Sequence, residues 1–233
     1  LRKAMFSREE PTRITAVHGF LQLLHTTAAP AATAGGAAAA ADGGEAESEA
    51  VVHFQLELLG FIRRSLTQQA SIRAALYDGI VPAFVTQPQL RPMVLELLFG
   101  QLAAYTDLFD DEQSSSAACA TSPILLDKCL AFSEDGATPP TVVEPLPQLI
   151  RAITRCVVAA RAGAAGADAA DAADGAEDGG SPLANVIDRM RLLVDRVALC
   201  GLKHFGLHGE GVLGAKDKHG AYHHAIAAFL NAT

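Results

Sequence analysis

A mainly α fold is predicted: an irregular α-solenoid or helical domain, with one short β-hairpin and two flexible Ala/Gly/acidic linkers. Three observations carry that reading. Apolar residues recur at helical spacing through most of the 233 residues. Two tracts, 28–50 and 162–180, are built from Ala, Gly, Asp and Glu without large side chains. They cannot bury enough surface to offset the entropy of ordering. One stretch, 124–144, leaves the helical period and ends on the β-branched Thr141-Val142-Val143, which reads as a hairpin.

In chain order, residues 1–8 read as the end of a helix. Pro11 suits a first helical position, and Ile14, Val17, Leu21 and Leu24 continue as one apolar stripe. A long helix is expected to open near Ser48, an N-cap residue, with Val51, Phe54, Leu58 and Ile62 on its inner face. The next runs through Ile72, Ala75 and Leu76 and stops at Asp78-Gly79, where glycine can adopt the left-handed cap. Another spans about 89–108, with Met93, Leu97 and Ala104 inward and Leu90, Val94, Leu98 and Leu102 widening the stripe. After the hairpin, helices resume at 146–160, with Leu149, Ile150, Ile153 and Val157 inward, then at 182–205 and 222–230. No fixed repeat stands out, but helix pairs joined by short turns fit an irregular solenoid.

Charge and cysteine content exclude several function classes. The net charge of −8 is concentrated in the tracts: four acidic residues at 42–49, and five against Arg161 at 161–178. That leaves 17 basic and 17 acidic residues elsewhere, so no basic stripe for a phosphate backbone is expected. Cys119, Cys129, Cys156 and Cys200 lie far apart without a C-x-x-C pair, which fits free thiols in a reducing compartment. No window approaches about 18 strongly apolar residues, so no membrane span is predicted. The chain opens on Leu1 inside a helical segment and stops directly after the apolar run 221–230, which reads as a piece of a longer protein.

Candidate chemical sites are few. Gly209-x-Gly211-x-x-Gly214 matches a dinucleotide fingerprint as a string. It follows a helix rather than a strand, however, and no βαβ unit surrounds it, so it reads as a glycine-rich loop. His204 and His208, and His219 and His223, stand four apart, the spacing of two imidazoles on one helical face. Gly206 and Gly209 interrupt the first pair, and neither pair has the H-E-x-x-H glutamate, so neither a metal nor a cofactor is expected. Serines fall in linkers, at caps or on helices with no G-x-S-x-G turn, and no enzymatic activity is expected. Lys3 lies about 200° around a helical wheel from Leu1, opposite the face shared by Leu1 and Met5. By itself that makes it a solvated residue.

The string around Lys3 changes its reading. Leu1-Arg2-Lys3-Ala4-Met5-Phe6-Ser7-Arg8, then Ala16-Val17-x-Gly19-Phe20-Leu21-x-Leu23-Leu24, resembles the Fanconi anaemia group I family. A second block agrees in the same order: Leu56-Glu57, Leu59, Arg63-Arg64-x-Leu66, Gln68-Gln69-Ala70, Arg73 and Leu76-Tyr77-Asp78-Gly79. The resemblance covers about residues 1–80 closely and extends more weakly through the hairpin, Glu144-Pro145-Leu146 and 185–190.

The resemblance implies that residues 1–25 end the family's second α-solenoid and 26–50 form a flexible linker. Residues 51–233 then form a helical domain with a disordered insertion at 162–180. It implies a non-catalytic nuclear scaffold of DNA interstrand crosslink repair. Such a scaffold pairs with its paralogue, the Fanconi anaemia group D subunit, to clamp DNA, and ubiquitin-ligase machinery monoubiquitinates it. By the matching motif, Lys3 is the ubiquitin acceptor. DNA is expected to be met through the full-length complex rather than through this segment.

One departure concerns control. Vertebrate members place Ser-Gln sites after this helix, whereas 26–50 holds no Ser-Gln or Thr-Gln pair, and only Thr67-Gln68 and Thr86-Gln87 occur elsewhere. The competing readings are a generic HEAT-like protein-interaction module and a nucleotide-binding enzyme fragment built on 209–214.

Overall fold

The computed structural model describes residues 1–26, 44–107, 122–131, 140–165, 182–205, 207 and 226–231. These are mainly α-helical, with one two-stranded antiparallel sheet, as the sequence predicts. Contacts divide the chain into two units, Leu1–Arg91 and Pro92–Thr233.

The first unit holds a 3-10 turn at Ala4–Phe6 and the helices α1 (Glu10–Thr26), α2 (Gly44–Ser65) and α3 (Ala70–Thr86). Pro11 lies in the first turn of α1, where its missing N–H costs nothing. Glu10 beside it places a negative charge at the positive end of the helix. The inner face of α1 is Ala16, Val17, Phe20, Leu21 and Leu24, while Ile14 is half-buried. This face packs on α3, whose Ile72, Leu76, Tyr77, Ile80 and Phe84 are all but fully buried.

Three expectations in this unit are corrected. α2 opens at Gly44, inside the tract read as linker and ahead of Ser48. Among its described residues the buried apolar ones are Leu58, Leu59 and Ile62, whereas Phe54 is 38% exposed. Periodicity tells which residues share a face, but not how far a neighbouring helix covers it. α3 does not stop at Gly79; it runs through Gly79 and Pro82 to Thr86. Ile80, Val81, Ala83 and Phe84 are buried beyond the glycine, and their packing outweighs both local breakers.

Gly79 serves close approach instead. A Cβ there would lie 2.6 Å from Leu21 Cδ1. The far ends of α1 and α3 are tied by the fully buried Gln87, whose Nε2 donates to the Leu24 carbonyl at 3.0 Å. That carbonyl is among the last four of its helix and lacks an intrahelical partner. Arg91 donates to the Phe84 and Val85 carbonyls at 3.2 Å each, closing the end of α3 in the same way.

The second unit contains most of α4 (Arg91–Ala104), then α5 (Leu126–Cys129), β1 (Leu130–Ala131), β2 (Thr141–Val142), α6 (Leu146–Ala165) and α7 (Pro182–Leu199). A 3-10 turn at Leu202–Phe205 and a helical stretch at 226–231 follow. The inner face of α4 is Val94, Leu95, Leu98 and Leu102; Met93 and Leu97 are half-buried and Ala104 is exposed. Leu90, Val94, Leu98 and Leu102, predicted to widen the stripe, are thus its buried centre, and the set predicted at the centre lies one residue to the side.

The hairpin is present. Leu130 pairs with Val142 and Ala131 with Thr141. The pairing is extended by Val143 N–H donating to the Cys129 carbonyl at 2.8 Å. The apolar run that feeds it is a single helical turn, α5, rather than strand. α6 presents Leu146, Leu149, Ala152, Ile153 and Cys156 to the core, with Ile150 and Val157 half-buried. It continues to Ala165, into the tract read as an insertion.

The helix predicted over 182–205 breaks after Leu199. Gly201 N–H donates to His204 Nδ1 at 2.8 Å, and the chain turns there. Among the described residues, no helix is long and apolar enough to cross a membrane.

Candidate functional site

Lys3 does not sit on a rod of α-helix. It is the N-cap of the 3-10 turn Ala4–Phe6, with φ −62° and ψ −36°. The turn is closed by Met5 N–H to the Leu1 carbonyl at 3.2 Å, Phe6 N–H to the Lys3 carbonyl at 3.2 Å and Ser7 N–H to the Ala4 carbonyl at 3.1 Å. Met5 is buried, as the wheel predicts, while Lys3 is exposed. Leu1, expected on the same inner face, is half exposed. A short turn tightens the angular spacing, so only one of the two apolar residues can be driven fully inward.

What makes the position defined is the anchoring of its neighbours. Leu1 rests against Gly19 of α1, where an added Cβ would come within 2.6 Å of Leu1 Cδ2. Arg2 pairs with Glu57 of α2, and its guanidinium carbon lies 5.0 Å from the centre of the Phe61 ring. Phe61 stacks on Phe20 of α1, with centroids 4.9 Å apart and planes at 11°. On the other side, Arg13 Nη1 donates to the Ser7 carbonyl at 3.0 Å, and its Nη2 reaches Gln69 Oε1 at the start of α3. Ser7 Oγ in turn accepts from Glu9 N–H at 3.1 Å.

Lys3 is thus an exposed residue of a turn held against α1 and α2. Among the described residues no hydrogen bond or ion pair engages its amine. It is also the only lysine in residues 1–91, a stretch that contains seven arginines. Guanidinium groups supply positive charge without a nucleophilic amine. That residue choice was visible in the sequence and is a signal that motif reading passed over.

The other candidates separate from this site. The 209–214 glycines, His208, His219 and His223 lie outside the described residues. His204 belongs to the turn that follows α7, where its ring contacts Gly201. Thr67 is exposed in the turn after α2, and its hydroxyl donates to the Arg64 carbonyl. Thr86 bonds the Pro82 carbonyl at 3.0 Å.

Among the described residues, no three His, Cys, Asp or Glu side chains gather as a metal site would require. Cys129 and Cys156 are buried, and Cys200 is half-buried. Burial pushes the Cys129 thiol up to about 12, with Glu144 and Asp127 adding to the effect. Burial likewise raises Cys156 to about 12, against a smaller opposing effect from Arg155. Such thiols are poor nucleophiles. An apolar groove of about 500 Å³ lies between α6 and α7, lined by residues that include Val157, Val158, Met190 and Val194.

Residues 37–229 match the family described as FANCI helical domain 2. The chain belongs to that family. It is similar to the Fanconi anemia group I protein of Gallus gallus, 31% identical over 169 residues, and to the Fanconi anemia group I protein homolog of Mus musculus, 29% identical over 167 residues. In each case the alignment covers 67% of this chain and 12% of the relative. The chain therefore spans about an eighth of the length of the curated relatives it matches. Helical domain 2 as matched opens at residue 37, between α1 and α2. Packing nevertheless places α1, α2 and α3 in one unit. The Lys3 turn lies ahead of the matched residues.

Proposed function

We propose that this segment belongs to a non-catalytic nuclear scaffold of DNA interstrand crosslink repair, and that Lys3 is its ubiquitin acceptor. In this reading the full-length protein pairs with a paralogous Fanconi anaemia group D subunit, and the two together clamp DNA. Family membership supports the setting. The observation that supports the site is the exposed amine of Lys3 on a turn whose neighbours are anchored on α1 and α2.

The chemistry needs nothing more from the substrate. The amine gives up a proton to a base on the conjugating machinery, and its lone pair attacks the thioester carbonyl of the activated ubiquitin. A C–N bond forms, the C–S bond breaks, and the thiolate leaves with the electron pair. Rate then depends on how well the nucleophile is held in an attacking geometry, which is what a fixed turn contributes. The balanced charge outside the acidic tracts supports DNA contact through the assembled complex rather than through this segment.

The test is conjugation of the full-length protein by its ligase machinery, with peptide mapping. Lys3→Arg is expected to abolish the modification, since the charge remains and the amine is lost. Full modification of that variant, or mapping of the wild-type site elsewhere, refutes the assignment. The α6–α7 groove favours a second reading, a helical protein-interaction module without an acceptor, and an unmodified wild-type protein would support it.

A further inference from the structure

We propose that Arg2 is the positioning residue for Lys3, acting through a clamp onto α2; this rests on Lys3 being the acceptor. Arg2 and Lys3 are adjacent in the turn that opens the chain, so holding the side chain of the first fixes the backbone from which the second projects. The Arg2 guanidinium meets Glu57 and lies over Phe61, and Phe61 stacks on Phe20. One side chain therefore links the acceptor turn to α2 and, through a stacked ring, to α1.

The clamp has the energetics of a positioning device rather than of a core contact. The two side chains keep 62% and 41% of their surface exposed, and ion pairs so exposed contribute little to stability. Their effect is to limit the orientations open to the turn. The cation is also chemically silent: a guanidinium stays protonated and cannot compete for the acyl group. A lysine at position 2 would fill the same clamp while offering a rival amine one residue from the acceptor.

The experiment uses the full-length protein in reconstituted conjugation, with kcat and KM measured for the ubiquitin-charged conjugating enzyme. Arg2→Ala is expected to lower kcat at Lys3 roughly tenfold or more, as loosened near-attack geometry does, with KM unchanged. Its melting temperature should stay within about 2 °C of wild type, as befits an exposed pair. Glu57→Gln should lower kcat less, in the same direction.

Arg2→Lys should restore most of the rate at Lys3, with a second modified amine appearing at position 2. If wild type is modified at Lys3 and Arg2→Ala keeps the wild-type kcat, the clamp is refuted while the acceptor stands. Loss of rate in parallel with loss of melting temperature, without rescue by Arg2→Lys, also refutes it. A wild-type protein unmodified at Lys3 overturns the acceptor reading and the clamp together.

Discussion

Replacing Gly79 by alanine tests why α3 passes through a glycine that the sequence marks as a helix end. Alanine is favoured over glycine in a helix interior by about 1 kcal/mol. Against this, the new Cβ would stand 2.6 Å from Leu21 Cδ1, well inside the roughly 3.5–4.0 Å optimum for carbon contacts. Leu21 is itself buried, so it cannot swing into solvent, and overpacking of this kind typically costs about 1–3 kcal/mol. Gly79→Ala is therefore expected to destabilise the first unit by up to about 2 kcal/mol, the difference of those two effects.

Gly60 provides the contrast. It is exposed in α2 with nothing within 4 Å of an added Cβ, so Gly60→Ala should stabilise by about the full 1 kcal/mol. Leu21→Ala alone should cost roughly 2–5 kcal/mol, but it removes the obstacle. The Gly79→Ala, Leu21→Ala double variant should then be more stable than the sum of the singles by about 1–3 kcal/mol. Native-state hydrogen exchange of the α1 and α3 amides reads this directly. Additivity within about 0.5 kcal/mol, or stabilisation by Gly79→Ala alone, would refute the close-approach argument. A cap glycine, by contrast, would give a loss that adds simply to that of Leu21→Ala.

Further expectations follow from burial. Gln87→Leu strands the Leu24 carbonyl and should cost about 1–3 kcal/mol, seen as faster exchange in the last turn of α1. Ile153→Ala, at a fully buried site, should cost about 2–5 kcal/mol. Val158→Ala on the same helix, 61% exposed, should stay within about 0.5 kcal/mol, as denaturant titration would show. Cys129 and Cys156 should resist alkylation at pH 8 in the folded chain and react once it is unfolded, measured by mass spectrometry. Their folded pKa values of about 12 lie above the ordinary 9.0. Their contribution to stability is thus complete below pH 9 and lost as pH rises towards 12, so an alkaline titration should show the folded fraction falling in that window.

The helices and the hairpin were legible because their signals are local. The α1 stripe Val17, Leu21 and Leu24 and the α6 stripe Leu149 and Ile153 are buried as periodicity indicates. The hairpin followed from β-branched residues after a break in helical period. The errors occurred where a neighbour decides: Gly79 inside α3, Phe54 beyond the covered part of α2, and the one-residue rotation of the α4 face. At the candidate site, exposure of Lys3 and burial of Met5 were legible from the wheel. The 3-10 turn and its anchors were not, because Arg2 reaches Glu57 across 55 positions of chain and Arg13 reaches Gln69 across 56.

Sequence alone determined the helical class, the two acidic low-complexity tracts, the family, and the choice of a lone lysine among arginines in residues 1–91. Those properties are written in composition and in spacing along one helix, which need no knowledge of what lies opposite. Tertiary structure decided where α3 ends, which residues of α2 and α4 face inward, and how the Lys3 turn is held. Each of these depends on a contact between residues remote in sequence. The free energy of burying a surface is set by the partner that covers it, and no periodicity in a single segment encodes that partner.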